Sequence, residues 1–364
     1  MNDLAISIFK EFLCFNPSLV KKMKNTEQAY DGLNPNKYHL ENDVWTHTCL
    51  CFNHFLNNYD IDNDDDFLIS IVASVLCHDI GKCYVKDTKH EAKKCTFYGH
   101  GNASIQDTVD FISYLNDIGY ISNMDYVLGL VLPAVSNHID LYRDAKRKEQ
   151  FLNGSTDLRE ISAVLADCDS KGSITFEFTT KKKGVDIEDF DLTGGVKEDP
   201  SLRTIYVYCG VPGVGKDYIA ESTGLPIVSF DDIRLEEYRT THLNSTWYNL
   251  SEPERYIAAF EWCNSEKIDL MKLMRKKVVN IIGDVIISNT NCNKKARRSI
   301  INSLGKANYK SVYVVSTKET IIGRDIGRET DSKTVGQDVI RRFMFNQQIP
   351  TIREGFVSSK IVFN

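Results

Sequence analysis

The stretch TIYVYCGVPGVGKDYIA, residues 204–220, joins a β-type run to a glycine-rich turn and the start of a helix. It matches G-x-x-x-x-G-K with Gly210, Gly215 and Lys216. Glycines let consecutive backbone amides point at phosphate oxygens, and the lysine reaches the outer phosphates. The stretch therefore predicts a phosphate-binding loop in an α/β fold. The loop comprises Gly210, Val211, Pro212, Gly213, Val214, Gly215, Lys216, Asp217 and Tyr218.

Asp217 departs from the usual form of this loop, in which a serine or threonine follows the lysine and ligates magnesium. A carboxylate at this position could reach a metal ion directly or through a water molecule. It could instead cap the helix that begins here. The departure leaves the nucleotide site intact and the arrangement of its metal open.

Short β-type runs recur after residue 203 and alternate with polar helical stretches. The runs are TIYVY, PIVSF, DVIIS and SVYVV. This rhythm is typical of βαβ units, so we predict a mostly parallel sheet. Earlier segments, such as NDVWTHTCLCFNHFL behind a possible Asn42 cap and DLREISAVLADCD, instead repeat their apolar residues near a helical period. We therefore predict that the first half of the chain is all α.

A polar stretch over residues 180–203 separates these halves and has little apolar periodicity, which is typical of a linker. We predict a multidomain chain, with an all-α domain over 1–180, a linker over 181–202 and an α/β domain over 203–364. The length of 364 residues agrees with this number of domains.

Composition narrows the class of protein. The net charge of −6 excludes a generally basic coat for nucleic acid but allows a local basic groove. We expect no membrane span, because no apolar run approaches about 18 residues, and no signal peptide in MNDLAISIFKEFL. The ten cysteines lack C-x-x-C pairs and regular spacing, which indicates reduced thiols in a cytoplasmic protein.

Histidines are concentrated before the linker, where seven of the eight occur. Four of them stand in the segments VWTHT, LCHDIGK, FYGHG and VSNHID, and a later helix carries LADCD. Imidazoles and carboxylates that converge from different helices bind divalent metals. A single histidine on a helix would mean little, but these segments together indicate a shared metal site.

In this order the segments resemble the HD-domain superfamily of metal-dependent phosphohydrolases, and most of all the HD domains attached to tRNA nucleotidyltransferases. The resemblance covers roughly residues 30–175 and implies an all-α HD domain with one or two divalent transition metals. The implied ligands are His47, His78, Asp79 and Asp167 for the first metal, and His100 and His138 for the second. Asp79 is placed to bridge the two, and the identity of the metals stays open.

Several neighbouring residues compete for roles in this site. Asp169 is the alternative to Asp167, and we favour Asp167 because it fits the motif better. Lys82 is expected either to contact substrate phosphate or to be a solvated lysine after a helix. We expect His39, His54 and His90 to be structural or surface residues.

After the phosphate loop come VSFDDIR, VIISNTNCNKKARR, SVYVVST and IIGRDIGR. In this order they resemble the polynucleotide 5′-hydroxyl kinase domain of phage and bacterial RNA-repair enzymes, over about residues 203–350. The resemblance implies ATP or another NTP, with magnesium, as phosphoryl donor. The family often has an acidic residue where Asn289 stands, so the role of Asn289 is open. Arg297 and Arg298 are basic enough to touch nucleic-acid phosphates, or else form a solvated helix face.

The kinase resemblance assigns catalytic roles to residues of these segments. Lys216 would bind the donor phosphates, and Asp231 would accept the proton of the attacking 5′-hydroxyl. Arg234 would hold a phosphate of the acceptor. Arg324 and Arg328 are four residues apart, hence on one face if helical, and would neutralise the transferring phosphoryl group.

An HD domain ahead of such a kinase resembles the HD-domain polynucleotide kinase fusions of RNA repair. This implies end healing, in which one site phosphorylates a 5′-hydroxyl end and the other hydrolyses a 2′,3′-cyclic or terminal 2′/3′-phosphate. The expected partners are RNA or DNA ends, ATP and a separate ligase. Two alternatives stay open: a nucleotide or nucleoside kinase fused to a nucleotide-hydrolysing HD domain, and a non-catalytic, nucleotide-gated RNA-binding protein.

Overall fold

The computed structural model describes residues 2–31, 34–36, 39–61, 63–89, 94–142, 155–175, 196–242, 246–328 and 335–364. The chain divides into two compact units. Unit 1 contains the part up to Gly194 together with Met344–Thr351, and unit 2 contains Gly195–Phe343 together with Ile352–Asn364. Most of the predicted linker lies outside the described residues.

The described residues of unit 1 are helical apart from two short antiparallel strand pairs and irregular connections, in agreement with the helical period of its sequence. Its helices are α1 (Asn2–Phe15), α2 (Pro17–Lys24), α3 (Val44–Asn58), α4 (Asp65–Cys77), α5 (Lys82–Val85), α6 (His100–Asp117), α7 (Met124–Asn137) and α8 (Thr156–Gly172). The strand pairs are β1 (Tyr30–Asp31) with β2 (Asn34–Pro35), and β3 (Asp87–Lys89) with β4 (Lys94–Thr96). A 3₁₀ turn, His138–Tyr142, follows α7.

Helix α4 forms the centre of unit 1, since every residue from Asp66 to Cys77 is buried. Asp64 caps its first turn by accepting the amide of Phe67 at 2.9 Å. The stretch Asp65–Val85 is long and apolar enough to cross a membrane, but 83% of its most apolar window is buried inside the fold. It is the only such stretch among the described residues, and its burial is that of a core helix.

The predicted cap of α3 is displaced by one residue. Helix α3 is capped by Asp43, whose carboxylate accepts the amide of Thr46 at 2.8 Å, and not by Asn42. Helix α8 is capped by Ser155, which accepts the amide of Leu158 at 3.2 Å. In both cases the residue that acts is the one whose side chain reaches the third amide of the helix.

Unit 2 contains a parallel sheet of five strands, which confirms the predicted sheet type. The strand order is β6-β7-β5-β8-β9, with β5 at Thr204–Cys209, β6 at Ile227–Val228, β7 at Val285–Ser288, β8 at Asn308–Val315 and β9 at Ser358–Phe363. From the central β5 the chain builds β6 and β7 on one side and β8 and β9 on the other. Ligands of open parallel sheets bind at the carboxyl ends of strands beside such a reversal.

Helices connect these strands and follow them along the chain. They are α9 (Lys216–Glu221), α10 (Phe230–Thr241), α11 (Thr246–Asn249), α12 (Glu252–Ser265), α13 (Leu270–Val279), α14 (Lys294–Leu304), α15 (Lys318–Ile326) and α16 (Gln337–Asn346). A 3₁₀ turn, Ile352–Glu354, precedes β9.

Arg297 is a structural residue of α14 and does not face nucleic acid. Its side chain is fully buried and donates to both carboxylate oxygens of Glu354, from Nε at 2.7 Å and from Nη2 at 2.8 Å. Its Nη1 also donates to the carbonyl of Asn291 at 3.0 Å. The paired charge therefore fixes α14 against the 3₁₀ turn, whereas Arg298 is exposed.

Removing this buried cation should destabilise unit 2. We expect Arg297→Met to lower the free energy of unfolding by about 3–5 kcal/mol, because Glu354 is left as a buried charge without its partner. The exposed Arg298→Met is the matched control and should change stability by about 0.5 kcal/mol or less. Urea unfolding followed by circular dichroism measures both, and equal stabilities would show that the pair contributes little.

Candidate metal centre and phosphate-binding site

Imidazoles and carboxylates from five helices of unit 1 or their ends meet at one buried point. His47 lies on α3, His78 and Asp79 follow α4, His100 begins α6, His138 follows α7, and Asp169 lies on α8. Each of these residues is at most 6% exposed. We call this set the HD cluster.

Asp79 lies at the centre of the HD cluster and divides it in two. Its Oδ2 faces Nε2 of His47 at 3.5 Å and Nε2 of His78 at 3.3 Å. Its Oδ1 faces Nε2 of His100 at 3.2 Å and Nε2 of His138 at 3.6 Å. Asp169 completes the first half, with its Oδ1 at 3.2 Å from Nε2 of His47. Groups of the type that bind metals therefore lie on both sides of one carboxylate.

Hydrogen bonds at the opposite ring nitrogen fix the orientation of each imidazole. Nδ1 of His78, His100 and His138 donates to the backbone carbonyls of Val75 (2.9 Å), Phe97 (2.7 Å) and Val135 (2.7 Å), respectively. Nδ1 of His47 lies 2.9 Å from the buried carboxylate of Glu41. Because these partners only accept, Nδ1 carries the proton and a neutral ring presents a lone pair at Nε2.

The lone pairs that result face one another at short range. Nε2 of His100 lies 3.0 Å from Nε2 of His138, and Nε2 of His78 lies 3.4 Å from Nε2 of His47. Neither oxygen of Asp79 has a well-oriented hydrogen bond, although both are buried. Acceptors placed this closely repel unless a cation lies among them. Imidazole nitrogen and carboxylate oxygen suit a divalent transition metal, and acceptors on Nδ1 are typical of its histidine ligands.

The pKa values show the same demand for positive charge. Burial would raise the pKa of Asp79, but Lys82 and the surrounding imidazoles outweigh it and hold the value well below the usual range. Burial would lower the pKa of His47, but Cys51, Asp169 and Glu41 outweigh it and raise the value. At His100, by contrast, burial lowers the pKa and favours the neutral ring. A metal ion beside His47 would supply this positive charge in place of a proton.

Asp169 lies in the HD cluster, whereas Asp167, which was favoured from the motif, does not. Asp167 accepts instead from the hydroxyl of Tyr59 at 2.9 Å and lies 2.8 Å from Nε2 of His54, with 35% of its side chain exposed. Two residues along a helix turn the side chain by about 200°. The apolar residues Ile161, Leu165 and Cys168 mark the buried face of α8, and Asp169 lies on it one turn after Leu165.

Gly81 allows the segment that carries Asp79 to approach the start of α6, which carries His100. A side chain there would place its Cβ 1.9 Å from the carbonyl oxygen of His100. The amide of Gly81 instead donates to the hydroxyl of Ser104 at 2.8 Å, and that hydroxyl donates to the carbonyl of His78 at 3.1 Å. The glycine of HDIGK thus serves close packing of Asp79 against His100.

Lys82 is buried at the HD cluster, so the solvated alternative is wrong. Its Nζ lies 2.6 Å from Oδ2 of Asp79 and donates to Gln28 at 2.9 Å. His39, expected to be structural, contacts Glu41 at 2.7 Å behind His47. His54 contacts Asp167, and His90 lies outside the described residues. Glu41 was missed, because a buried glutamate six residues before His47 carries no motif of its own.

Metal content separates the two aspartates of α8. We expect Asp169→Asn to lose bound metal, because it removes a carboxylate that faces His47. Asp167→Asn removes the same charge two residues away and should keep the metal of the wild type. Elemental analysis by inductively coupled plasma mass spectrometry of the purified chains measures this. If Asp167→Asn loses its metal and Asp169→Asn keeps it, Asp167 is the ligand, as the motif suggested.

In unit 2 the glycine-rich loop follows the central strand β5, as predicted. Gly210, Gly213 and Gly215 have φ values of 143°, 89° and 87°, which other residues rarely adopt. A Cβ at Gly215 would lie 2.0 Å from Nδ2 of Asn364 and 3.1 Å from Nη1 of Arg324. The loop therefore needs glycine both for its backbone conformation and for close approach.

Positive side chains gather at this loop. Lys216 is buried and its Nζ donates to the carbonyl of Val211 at 3.2 Å, while Arg324 donates to the carbonyl of Gly213 at 3.2 Å. Burial lowers the pKa of Lys216. Helix α15 ends at Ile326, so Arg328 lies beyond it and the condition for a shared helix face is not met. Of the two arginines, Arg324 is the one with a hydrogen bond to the loop.

The end of β7 connects the loop to α10. Ser288 donates its hydroxyl to Oδ1 of Asp217 at 2.7 Å. The next residue, Asn289, accepts the amide of Phe230 at 2.8 Å, at the start of α10. Asp231, in the first turn of that helix, pairs with Nη1 of Arg234 at 2.6 Å.

The pair formed by Asp231 and Arg234 is accessible to a ligand. The side chain of Asp231 is 72% exposed. The guanidinium of Arg234 lies 5.2 Å from the ring centre of Phe260, which is itself half exposed. An exposed carboxylate, a guanidinium and an open aromatic face are suited to a hydroxyl-bearing, phosphate-bearing ligand.

Comparisons with known proteins add little to this geometry. No protein-family model matches the sequence, and no curated protein matches it either. A solved structure from Chloroflexus aurantiacus, described only provisionally as a kinase, is 13% identical over 44% of this chain and 85% of its own, with a TM-score of 0.32. Similarity at that level carries no inference about function.

Proposed function

We propose that the chain is a bifunctional enzyme that heals nucleic-acid ends. The part after residue 203 would transfer the γ-phosphate of ATP to a 5′-hydroxyl end. The part before residue 180 would hydrolyse a 2′,3′-cyclic or terminal 2′/3′-phosphate. The observation that carries the proposal is the presence, in one chain, of the HD cluster around Asp79 and of a phosphate loop linked through β7 to Asp231 and Arg234.

At the kinase site the residues have separable tasks. Lys216 and Arg324 place positive charge around the loop that would hold the triphosphate, and Arg328 would add to it. The exposed carboxylate of Asp231 would accept the proton of an incoming hydroxyl. Arg234 would then exchange part of its contact with Asp231 for a phosphate of the acceptor, as guanidinium groups bind phosphates through paired hydrogen bonds. This chemistry needs positioning more than covalent catalysis.

At the HD cluster the residues would hold two divalent metal ions. His47, His78, Asp79 and Asp169 form one ligand set, and Asp79, His100 and His138 form the other. Metal ions bound in this way supply a hydroxide near neutral pH and polarise phosphoryl oxygens. Glu41 orients His47, and Lys82 keeps a positive charge beside Asp79 that an approaching phosphate would meet.

Replacing the proposed base, Asp231, should abolish 5′-phosphorylation and leave the 3′ reaction unchanged. We expect Asp231→Asn to reduce 5′-phosphorylation of an oligoribonucleotide by about 100-fold or more, because the attacking hydroxyl loses its proton acceptor. Transfer of radiolabelled phosphate from ATP measures it. Asp232→Asn removes the neighbouring exposed carboxylate and should keep most of the activity. Full activity in Asp231→Asn would exclude this role and with it the proposed kinase mechanism.

Replacing the central carboxylate, Asp79, should abolish the 3′ reaction and leave 5′-phosphorylation unchanged. We expect Asp79→Asn to abolish metal-dependent removal or opening of a terminal phosphate while 5′-phosphorylation continues at the wild-type rate. Chromatography of the 3′ products measures the first activity, and circular dichroism compared with the wild type shows whether the helical unit 1 of the variant is folded. If Asp79→Asn hydrolyses 3′ ends like the wild type, the HD cluster is not the hydrolytic site.

A further inference from the structure

We infer that the magnesium ion of the kinase site is held by a carboxylate from the phosphate loop, Asp217, together with the hydroxyl of Ser288 at the end of β7. The inference deepens the proposed function and rests on its kinase half. It assigns a role to the one residue at which the loop departs from its usual sequence.

The structure places these two side chains together. Strands β5 and β7 are neighbours in the parallel sheet, and Tyr208 is in register with Ser288. The loop that leaves β5 therefore passes over the end of β7. Ser288 is buried, and its hydroxyl donates to Oδ1 of Asp217 at 2.7 Å. A hydroxyl and a carboxylate thus share one location beside Lys216.

In phosphate-loop enzymes of the usual kind, the loop supplies a serine or threonine hydroxyl and a neighbouring strand supplies an aspartate. Here the two residue types have changed places. The loop carries the carboxylate of Asp217, and the strand ends in Ser288 followed by the uncharged Asn289. The number of ligands and their total charge are the same. Hydroxyl and carboxylate oxygens are the hard ligands that magnesium prefers.

The helix-capping alternative fits the contacts less well. In the part of the chain that the structure describes, Asp217 receives its hydrogen bond from Ser288 and none from a backbone amide. The residue at the helix cap is Gly215, which makes no side-chain cap bond. The carboxylate is therefore turned toward the strand end and away from the amides of its own helix.

A carboxylate in the loop has a consequence that a hydroxyl lacks. Without metal, Asp217 repels the triphosphate that Lys216 attracts. Magnesium, when bound, would take ligands from both the carboxylate and the phosphates. Binding of ATP and binding of magnesium are therefore strongly coupled, and the coupling is reciprocal. A loop carrying serine would retain affinity for metal-free ATP.

The test measures the dissociation constant of ATP by calorimetry, with magnesium and with EDTA, in the full-length chain. We expect Asp217→Asn to tighten metal-free binding and to lower the ratio of the two constants about tenfold or more. Glu221→Gln removes an exposed carboxylate from the same helix and should leave the ratio unchanged. The exchanged variant, D217S/S288D, should recover a metal dependence of ATP binding that D217S has lost.

Binding of Mn²⁺ followed by electron paramagnetic resonance gives a second readout, and it should weaken in D217N and recover in D217S/S288D. An unchanged ratio in folded D217N overturns the inference and leaves Asp217 as a structural residue. Failure of the folded exchanged variant to recover metal dependence also overturns it. The test needs no acceptor, so it holds even if the chain phosphorylates small nucleosides. A wild-type chain that binds no nucleotide under either condition would instead refute the kinase half of the proposed function.

Discussion

A single buried carboxylate, that of Asp79, determines how unit 1 is organised. Its two oxygens face the Nε2 atoms of four histidines that arrive from different helices, and Lys82 contacts it from the following turn. Isolated charge at such depth is costly, so the surrounding groups must be held with accuracy. Backbone carbonyls and Glu41 fix the orientation of the four imidazole rings through Nδ1. Gly81 allows the segment that carries Asp79 to pack against His100.

In unit 2 the corresponding constraint is the end of strand β7. Two consecutive side chains, Ser288 and Asn289, contact the phosphate loop on one side and the start of α10 on the other. The loop binds the donor in our proposal, and α10 carries the residues for the acceptor. Because one strand end fixes both, donor and acceptor groups are aligned by the sheet and not by flexible loops. The buried pair of Arg297 and Glu354 fixes the helix that follows.

Much of this could be predicted from the sequence, and the failures have physical reasons. The phosphate loop and the parallel sheet follow from local patterns, since each motif carries its own spacing. The four histidines with Asp79 follow from the resemblance of their segments, taken together, to a known superfamily. The position of Asp169 in the HD cluster follows from the helical period that marks the buried face of α8, which motif fit does not take into account. Arg297 was misread because its partner, Glu354, lies 57 residues away. Glu41 and the contact of Ser288 with Asp217 depend on tertiary packing, which no short segment reveals.

The central claim is that one chain acts on both ends of a nucleic acid. The most direct measurement follows one oligoribonucleotide with a 5′-hydroxyl and a 2′,3′-cyclic phosphate, incubated with ATP, magnesium and a panel of transition metals, by mass spectrometry. The account predicts that the 5′ end gains a phosphate and that the cyclic phosphate is opened or removed. No change at either end, together with rapid phosphorylation of free nucleosides, would contradict it.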